Sequence, residues 1–486
     1  MTTNNIEKKN LSSKQESIFK GSILRNLIIL TIPIAIYLIF QHLGTSIDFA
    51  IIGDTGKAKN VDSTITYMKQ IKKILQSIAV SLGGAGVVLV AREYKKQNIK
   101  QAKQYATLAF LLAATISFLC LLFLGLGALL PGFLGDIFLK HEYHSDGGLL
   151  YYYYSLITFV FITINSVFIG LELAKNKNKF ILFLNILLIT VRIFISFIYK
   201  FSKTPGTVQV TDLALADLLS NLLITFIAFY YMLSPKNPFQ LRFKNLTFSK
   251  NIVKTMLKLS GVLIIGKVTY EIGKKFILDM ATNYYPDLVA ISGLVAVVNG
   301  IFYAISQSLE DPQSAMVSRS VAVESNRKTF KIFKNVFYAT LIIGTLGLLS
   351  NYFLGEKLLY LLKPNKTFSH TEITNFNIIL FWEGTSLFTS VWSSIMMGYI
   401  LSYKKKANLI FCMNLVRVLT RGTILFALHK LVPKGDILSF AYQFGLSTFG
   451  SNAIVLIITT IIFIVFLQKN KRISKTQKEI INEIKT

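Results

Sequence analysis

The residues of this sequence able to do chemistry are charged groups set inside apolar stretches. Asp48 is the one carboxylate in the run 27–52. Lys267, Glu271, Lys275 and Asp279 recur every four residues, which on a helix gives one stripe of alternating charge. Lys69, Lys72, Lys73 and Gln76 share one helical face, and Asn414, Arg417 and Arg421 share another. Further acids in apolar surroundings are Asp217, Glu310, Asp311 and Glu383. At the centre of a membrane helix each basic charge costs about 2.5–3.5 kcal/mol on insertion scales. With Arg192 and Lys274 added, an unpaired set facing lipid would cost more than a typical folding stability. These groups must therefore face water, one another or acids. Their chemistry is the binding and release of ions and charged solutes. A convergent nucleophile, base and oxyanion site is not legible, so no enzyme is expected.

The elements that carry them must cross a bilayer. The 486 residues are 52% hydrophobic and 16% charged, with mean hydropathy +0.53. A disordered chain is excluded by 38 Phe and 22 Tyr. Twelve mostly apolar segments of about 20 residues or more are predicted. They lie near 27–52, 65–91, 105–130, 149–173, 180–199, 211–233, 253–280, 288–317, 332–354, 376–400, 408–428 and 447–467.

The net charge of +28 follows from orientation. With the N-terminus in the cytoplasm, clusters such as Lys95 and Lys96, Lys175 to Lys179, and Lys404 to Lys406 all fall on the cytoplasmic side. Both termini are expected there, in the plasma membrane, and a nucleic-acid partner is not required. Cys120 and Cys412 sit in apolar runs and give no disulfide framework.

The chain also repeats itself. A shift of 227 sets Ile78, Ser81, Leu82, Val90 and Arg92 on Ile305, Ser308, Leu309, Val317 and Arg319. A shift of 229 sets Asn185, Arg192, Ile195 and Phe197 on Asn414, Arg421, Ile424 and Phe426. Two tandem six-helix halves of the same orientation result, an organisation typical of secondary transporters. The expected fold is all-α, with twelve transmembrane helices in two pseudo-symmetric bundles. The parts are a tail 1–24, an N-lobe 25–233, a linker 234–252, a C-lobe 253–467 and a tail 468–486. A hydrated cleft lined by spans 1, 2, 7 and 8 would expose Lys72, Lys73, Gln76, Lys267, Tyr270, Lys275, Gln307 and Glu310. The span 7 ladder admits a second reading, a structural salt-bridge stripe. Arg192 and Arg421, at equivalent places, read as sharing a structural role. The 227 shift sets Asp48 against Lys275, opposite charges across the cleft.

Two motifs fail. Gly261 to Lys267 begins like a phosphate-binding loop, but Val268 stands where Ser or Thr is needed. His141 and His144 have no third ligand nearby in sequence.

The stretch Leu27 to Gly56, with Pro33, Asp48, Gly53 and Gly56, resembles the opening of multidrug and toxic compound extrusion (MATE) transporters, and the resemblance continues through VAREYKKQNIKQAKQ. It implies two six-helix lobes exchanging small organic molecules for sodium ions or protons, with no other cofactor. It implies cation coupling at Asp48, and at Glu271 and Glu383 near the acids some members use. The partners it implies are a small-molecule substrate and membrane lipid, for a monomer. The family's span 7 proline is absent, with Ser260 and Gly261 in its region. The alternative is a flippase or exporter of an anionic lipid-linked or phosphate-bearing substrate, which the basic residues of the cleft would suit. A net positive cleft would favour the anion, and an acid-lined one the cationic drug.

Overall fold

The computed structural model describes residues 22–53, 61–95, 97–144, 147–175, 177–203, 209–235, 237–241, 249–322, 326–363, 366–404, 408–431 and 437–485, and its described residues hold helices and no strands. Within the helices some side chains lie outside the described set, that of Asp48 among them. The first half comprises α1 (Ile23–Gly53), α2 (Val61–Lys95), α3 (Ile99–Gly127), the short α4 (Phe133–Phe138), α5 (Gly148–Ala174), α6 (Asn178–Ser202) and α7 (Val210–Leu233). The second comprises α8 (Lys250–Tyr284), α9 (Pro286–Gln307), α10 (Glu310–Ala322), α11 (Asn326–Leu362), α12 (His370–Lys404), α13 (Asn408–Leu431) and α14 (Ile437–Lys485). Among the described residues, 9 helices are long and apolar enough to cross a membrane by themselves. α8 is interrupted by charge and α12 by Ser and Thr, and the arrangement as a whole fits twelve helices in two bundles.

Local chemistry sets the helix ends. Asn98 caps α3 by accepting from the Gln101 N–H at 3.3 Å. Ser369 and Glu372 bond each other's backbone N–H groups at 3.2 and 2.9 Å, a reciprocal cap at the start of α12. Pro286 starts α9, since its missing N–H costs nothing in a first turn. The eighth predicted span, 288–317, matches a candidate membrane span at Asp287–Ser314, which contains a turn between Gln307 and Glu310. Pro312 has no N–H to give to residue 308, which favours a break or kink just before it. α8 begins at Lys250, inside the predicted linker, and α14 runs on to Lys485 through the predicted tail.

The repeat is visible in the packing. In the first half α2 packs on α3 and α5, α5 on α3 and α7, and α6 on α1 and α7. In the second half α9 and α10 pack on α11 and α12, α12 on α11 and α14, and α13 on α8 and α14. Each pair has its counterpart under the repeat. The halves join by α2 against α8 and α1 against α9, also counterparts. Tyr67, Tyr152, Phe159 and Phe168 fill the first core, while Phe333, Tyr399 and Phe463 pack rings in the second. Phe123, Phe194, Phe201 and Tyr230 are exposed on the outer surface, as a lipid-covered face requires.

At one end the halves are tied directly. Lys363, just past α11, bonds Asp62 at the start of α2 at 2.8 Å, and both are buried. The Tyr143 and Thr282 hydroxyls pair at 3.1 Å, and Lys140 donates to the Asp279 carbonyl at 3.3 Å. Tyr67 stacks on Tyr143 at 4.2 Å beneath them. Removing one partner of a buried ion pair leaves an uncompensated charge, which costs about 3–5 kcal/mol. Lys363→Met is therefore expected to lower the melting temperature of the detergent-solubilised protein. Lys363→Met with Asp62→Leu should recover a large part of that loss. A double variant as unstable as Lys363→Met alone would show that the pair does not hold this end together.

Candidate functional site

The halves enclose a cleft of about 2440 Å3. It runs from beneath the tied end to Tyr94, Lys254, Lys328 and Tyr403, at the opposite end, where the basic loops lie. Its walls are largely apolar, among them Leu38, Val87, Ile169, Leu259 and Met397. Its charges are mostly positive. Lys69, Lys72, Lys73, Arg192, Lys254, Lys258, Lys267, Lys274, Lys328, Arg417 and Arg421 line it, against Asp217, Glu271, Glu310 and Glu383.

The basic face of α2 divides between two jobs. Lys72 bonds Asp217 of α7, and Arg192 of α6 bonds the same carboxylate, so one acid holds two cations in the first half. Lys73, the next residue, is open to the cleft. Gln70 lies one helical turn before it and bridges the halves, donating to the Glu271 carbonyl at 2.9 Å and its carboxylate at 3.1 Å.

Across the cleft, α8 and α13 supply a second group. Lys274 lies 3.5 Å from Glu271, and its ammonium stands 4.3 Å from the Tyr270 ring centre. The Arg417 guanidinium stacks over Tyr270 at 5.2 Å and donates to the Ser393 hydroxyl at 2.7 Å. Arg421 stacks over Phe444 at 5.1 Å, and its Nε is buried without a hydrogen-bond partner. Asn414, on the same face of α13, donates to the Gly266 carbonyl and helps fix α13 against α8. Glu383 of α12 lines the same region.

Lys72, Lys73, Gln76, Lys267, Tyr270, Gln307 and Glu310 all line this cleft, as do Glu271 and Glu383. Lys275 is corrected. It is buried off the cleft, bonded to Asp279 at 3.0 Å with its ammonium 5.2 Å from the Tyr67 ring centre. Its helical position explains this, since Lys274 faces the cleft and the next residue turns about 100° away toward α2. The four-residue ladder on α8 therefore resolves into Lys275 with Asp279 and Glu271 with Lys274. The expected pairing of Asp48 with Lys275 lies outside the described residues on the Asp48 side. Arg192 and Arg421 do not share a role: one is ion-paired and the other stacks on a phenyl ring. Asp217 as the holder of two cations was not foreseen, because Lys72 and Arg192 lie on other spans and no local spacing marks the contact.

A family model, MatE, matches residues 33–198, while a comparison with curated proteins returns no match. Among solved structures, a multidrug resistance MATE family transporter of the MOP superfamily in its outward-facing conformation superposes with TM-score 0.76 at 12% identity, covering 94% of this chain and 98% of that one. The inward-facing conformation of such a transporter gives TM-score 0.70 at 11% identity, over 91% and 99% of the two chains. A MOP superfamily transporter from Pyrococcus furiosus Vc1, described as having a binding pocket of reverse polarity, gives TM-score 0.74 at 13% identity over 92% and 97%. Residues 33–198 thus match the MatE family model, and the chain shares its fold with solved MATE transporters.

Proposed function

We propose that this protein is an alternating-access membrane transporter whose substrate is an amphiphilic organic anion. The observation that carries this reading is the excess of Lys and Arg over Asp and Glu along a cleft with apolar walls. A cation entering it would meet like charge in a low-dielectric setting, where repulsion is strong. An anion finds charge-assisted donors on both halves, and apolar surface for its tail. The P. furiosus neighbour, whose reverse-polarity pocket is described as suggesting a different function, gives the reading a precedent within the same fold.

The tied end and the open end fit one state of an alternating-access cycle. With the basic loops placed in the cytoplasm, that state opens inward, in the plasma membrane, with both termini cytoplasmic. The chain works as a monomer in this reading, since each half supplies one wall of the cleft. Efflux of cationic drugs in exchange for sodium ions or protons is the second reading, and the cleft positions of Glu271 and Glu383 favour it. Coupling through Asp48 is compatible with either substrate.

Three outcomes are expected. Calorimetry on the purified protein should show binding of decyl phosphate and at least tenfold weaker binding of decyltrimethylammonium. The reverse preference would overturn the anion reading and leave cationic drug efflux. For topology, Ser249→Cys, in a background lacking Cys120 and Cys412, should stay unlabelled by an impermeant maleimide in intact cells and react after permeabilisation. Labelling in intact cells would invert the orientation. For coupling, a driving ion acts only by binding the two states differently. Asp48→Asn should leave expression and substrate binding near normal, and abolish sodium- or proton-gradient-driven flux in proteoliposomes. Full gradient-driven flux by Asp48→Asn would move Asp48 to a structural role.

A further inference from the structure

The two halves place the same arginine in different company. Arg192 on α6 and Arg421 on α13 correspond under the 229 shift. Asp217 on α7 and Phe444 on α14 correspond under the 227 shift, which also aligns the starts of those helices, Val210 and Ile437. The contacts agree with this register: Arg192 meets Asp217, and Arg421 meets Phe444. A phenyl face offers a guanidinium a cation–π contact and leaves its hydrogen-bonding edge unused. Arg421 has accordingly kept its position in the cleft wall while the acid of the repeat has been replaced.

Around Arg421 the charges do not balance. Lys73, Lys274 and Arg417 line the same part of the cleft, with Glu271 and Glu383 as the acids among them. Glu271 is engaged by Lys274 and Gln70, and no salt bridge ties Glu383 to Arg421 or Lys73 among the described residues. Lys274 is paired with Glu271, and with Glu383 beside them Lys73, Arg417 and Arg421 carry an excess of positive charge. A dianion neutralises that excess where a monocarboxylate does not, and a guanidinium edge accepts tetrahedral oxyanions through paired N–H donors.

We propose that Arg421, with Lys73 and Lys274, is the docking site for the phosphoryl group of the substrate, taking the position that Asp217 occupies in the first half. The inference rests on the anion reading above and deepens it to a phosphate ester or phosphate amphiphile. Lys73 belongs to the first half and Arg421 to the second, so a docked phosphoryl group ties the halves across the cleft. Phe444 is the specificity determinant: by leaving the guanidinium edge open, it makes room for an external anion.

The test uses the full-length protein in detergent, with inorganic pyrophosphate and decyl phosphate as separate probes, read by calorimetry. Arg421→Gln and Lys73→Gln should each weaken decyl phosphate binding by about 10- to 100-fold, the worth of a hydrogen bond to a charged group. Phe444→Asp supplies the missing carboxylate and restores the first-half pattern; it should weaken binding at least as much, and because Phe444 is buried in the core it is compared with Phe444→Leu, which should lose some stability and keep binding. Arg421→Lys should fall between wild type and Arg421→Gln. Pyrophosphate binding that responds to the same substitutions would indicate a free phosphate compound as substrate. Binding confined to decyl phosphate would indicate a lipid-like one. If wild type binds decyl phosphate and Phe444→Asp and Arg421→Gln bind it equally well, the site assignment is wrong while the anion reading stands. If wild type prefers decyltrimethylammonium, both fall.

Discussion

A charge inside a bilayer must be paired or hydrated, and the architecture of this protein follows from that constraint. Its helices carry basic groups at depths where lipid would expel them. The fold meets the constraint in two ways. Lys72 and Arg192 share Asp217, and Lys275 is bonded to Asp279, so these charges are settled inside protein. Lys73, Lys267 and Arg421 instead face a cleft between two bundles, where water or a ligand supplies what the protein does not. A cleft of this kind is the space that a transport cycle opens alternately to the two sides.

The two-fold repeat explains how such a cleft arises and how it becomes specific. Two copies of one six-helix unit, packed by the corresponding pairs α2 with α8 and α1 with α9, enclose a space lined by equivalent positions. Divergence between equivalent positions then sets its chemistry. Asp217 against Phe444 is one such difference: Arg192 meets a carboxylate where Arg421 stacks on a phenyl ring. Lys363 with Asp62 shows the other use of cross-half polar contacts, which is to tie one end, while Gln70 with Glu271 bridges the halves within the cleft. Buried ion pairs add little net stability against apolar replacements.

Much of this was determined by the sequence alone. Apolar runs of bilayer length gave the helices, because an unpaired backbone is not tolerated in lipid. Loop lysines gave an expected orientation, and two offsets gave the repeat. Placing Lys72, Lys73, Lys267 and Tyr270 in one cleft required helical spacing, the repeat and the rule that charges avoid lipid, while Glu271 and Glu383 were named through the family resemblance. What the tertiary structure decided was which cation meets which acid. Lys274 and Lys275 are neighbours, yet one faces the cleft and the other is locked to Asp279 behind it. Asp217 gathers Lys72 and Arg192 from two other helices. Helical periodicity fixes a residue's angle about its own axis, but the rotation of each helix against its neighbours is set by packing summed over the whole bundle. The polarity of the cleft depends on those rotations, which no single stretch of sequence contains.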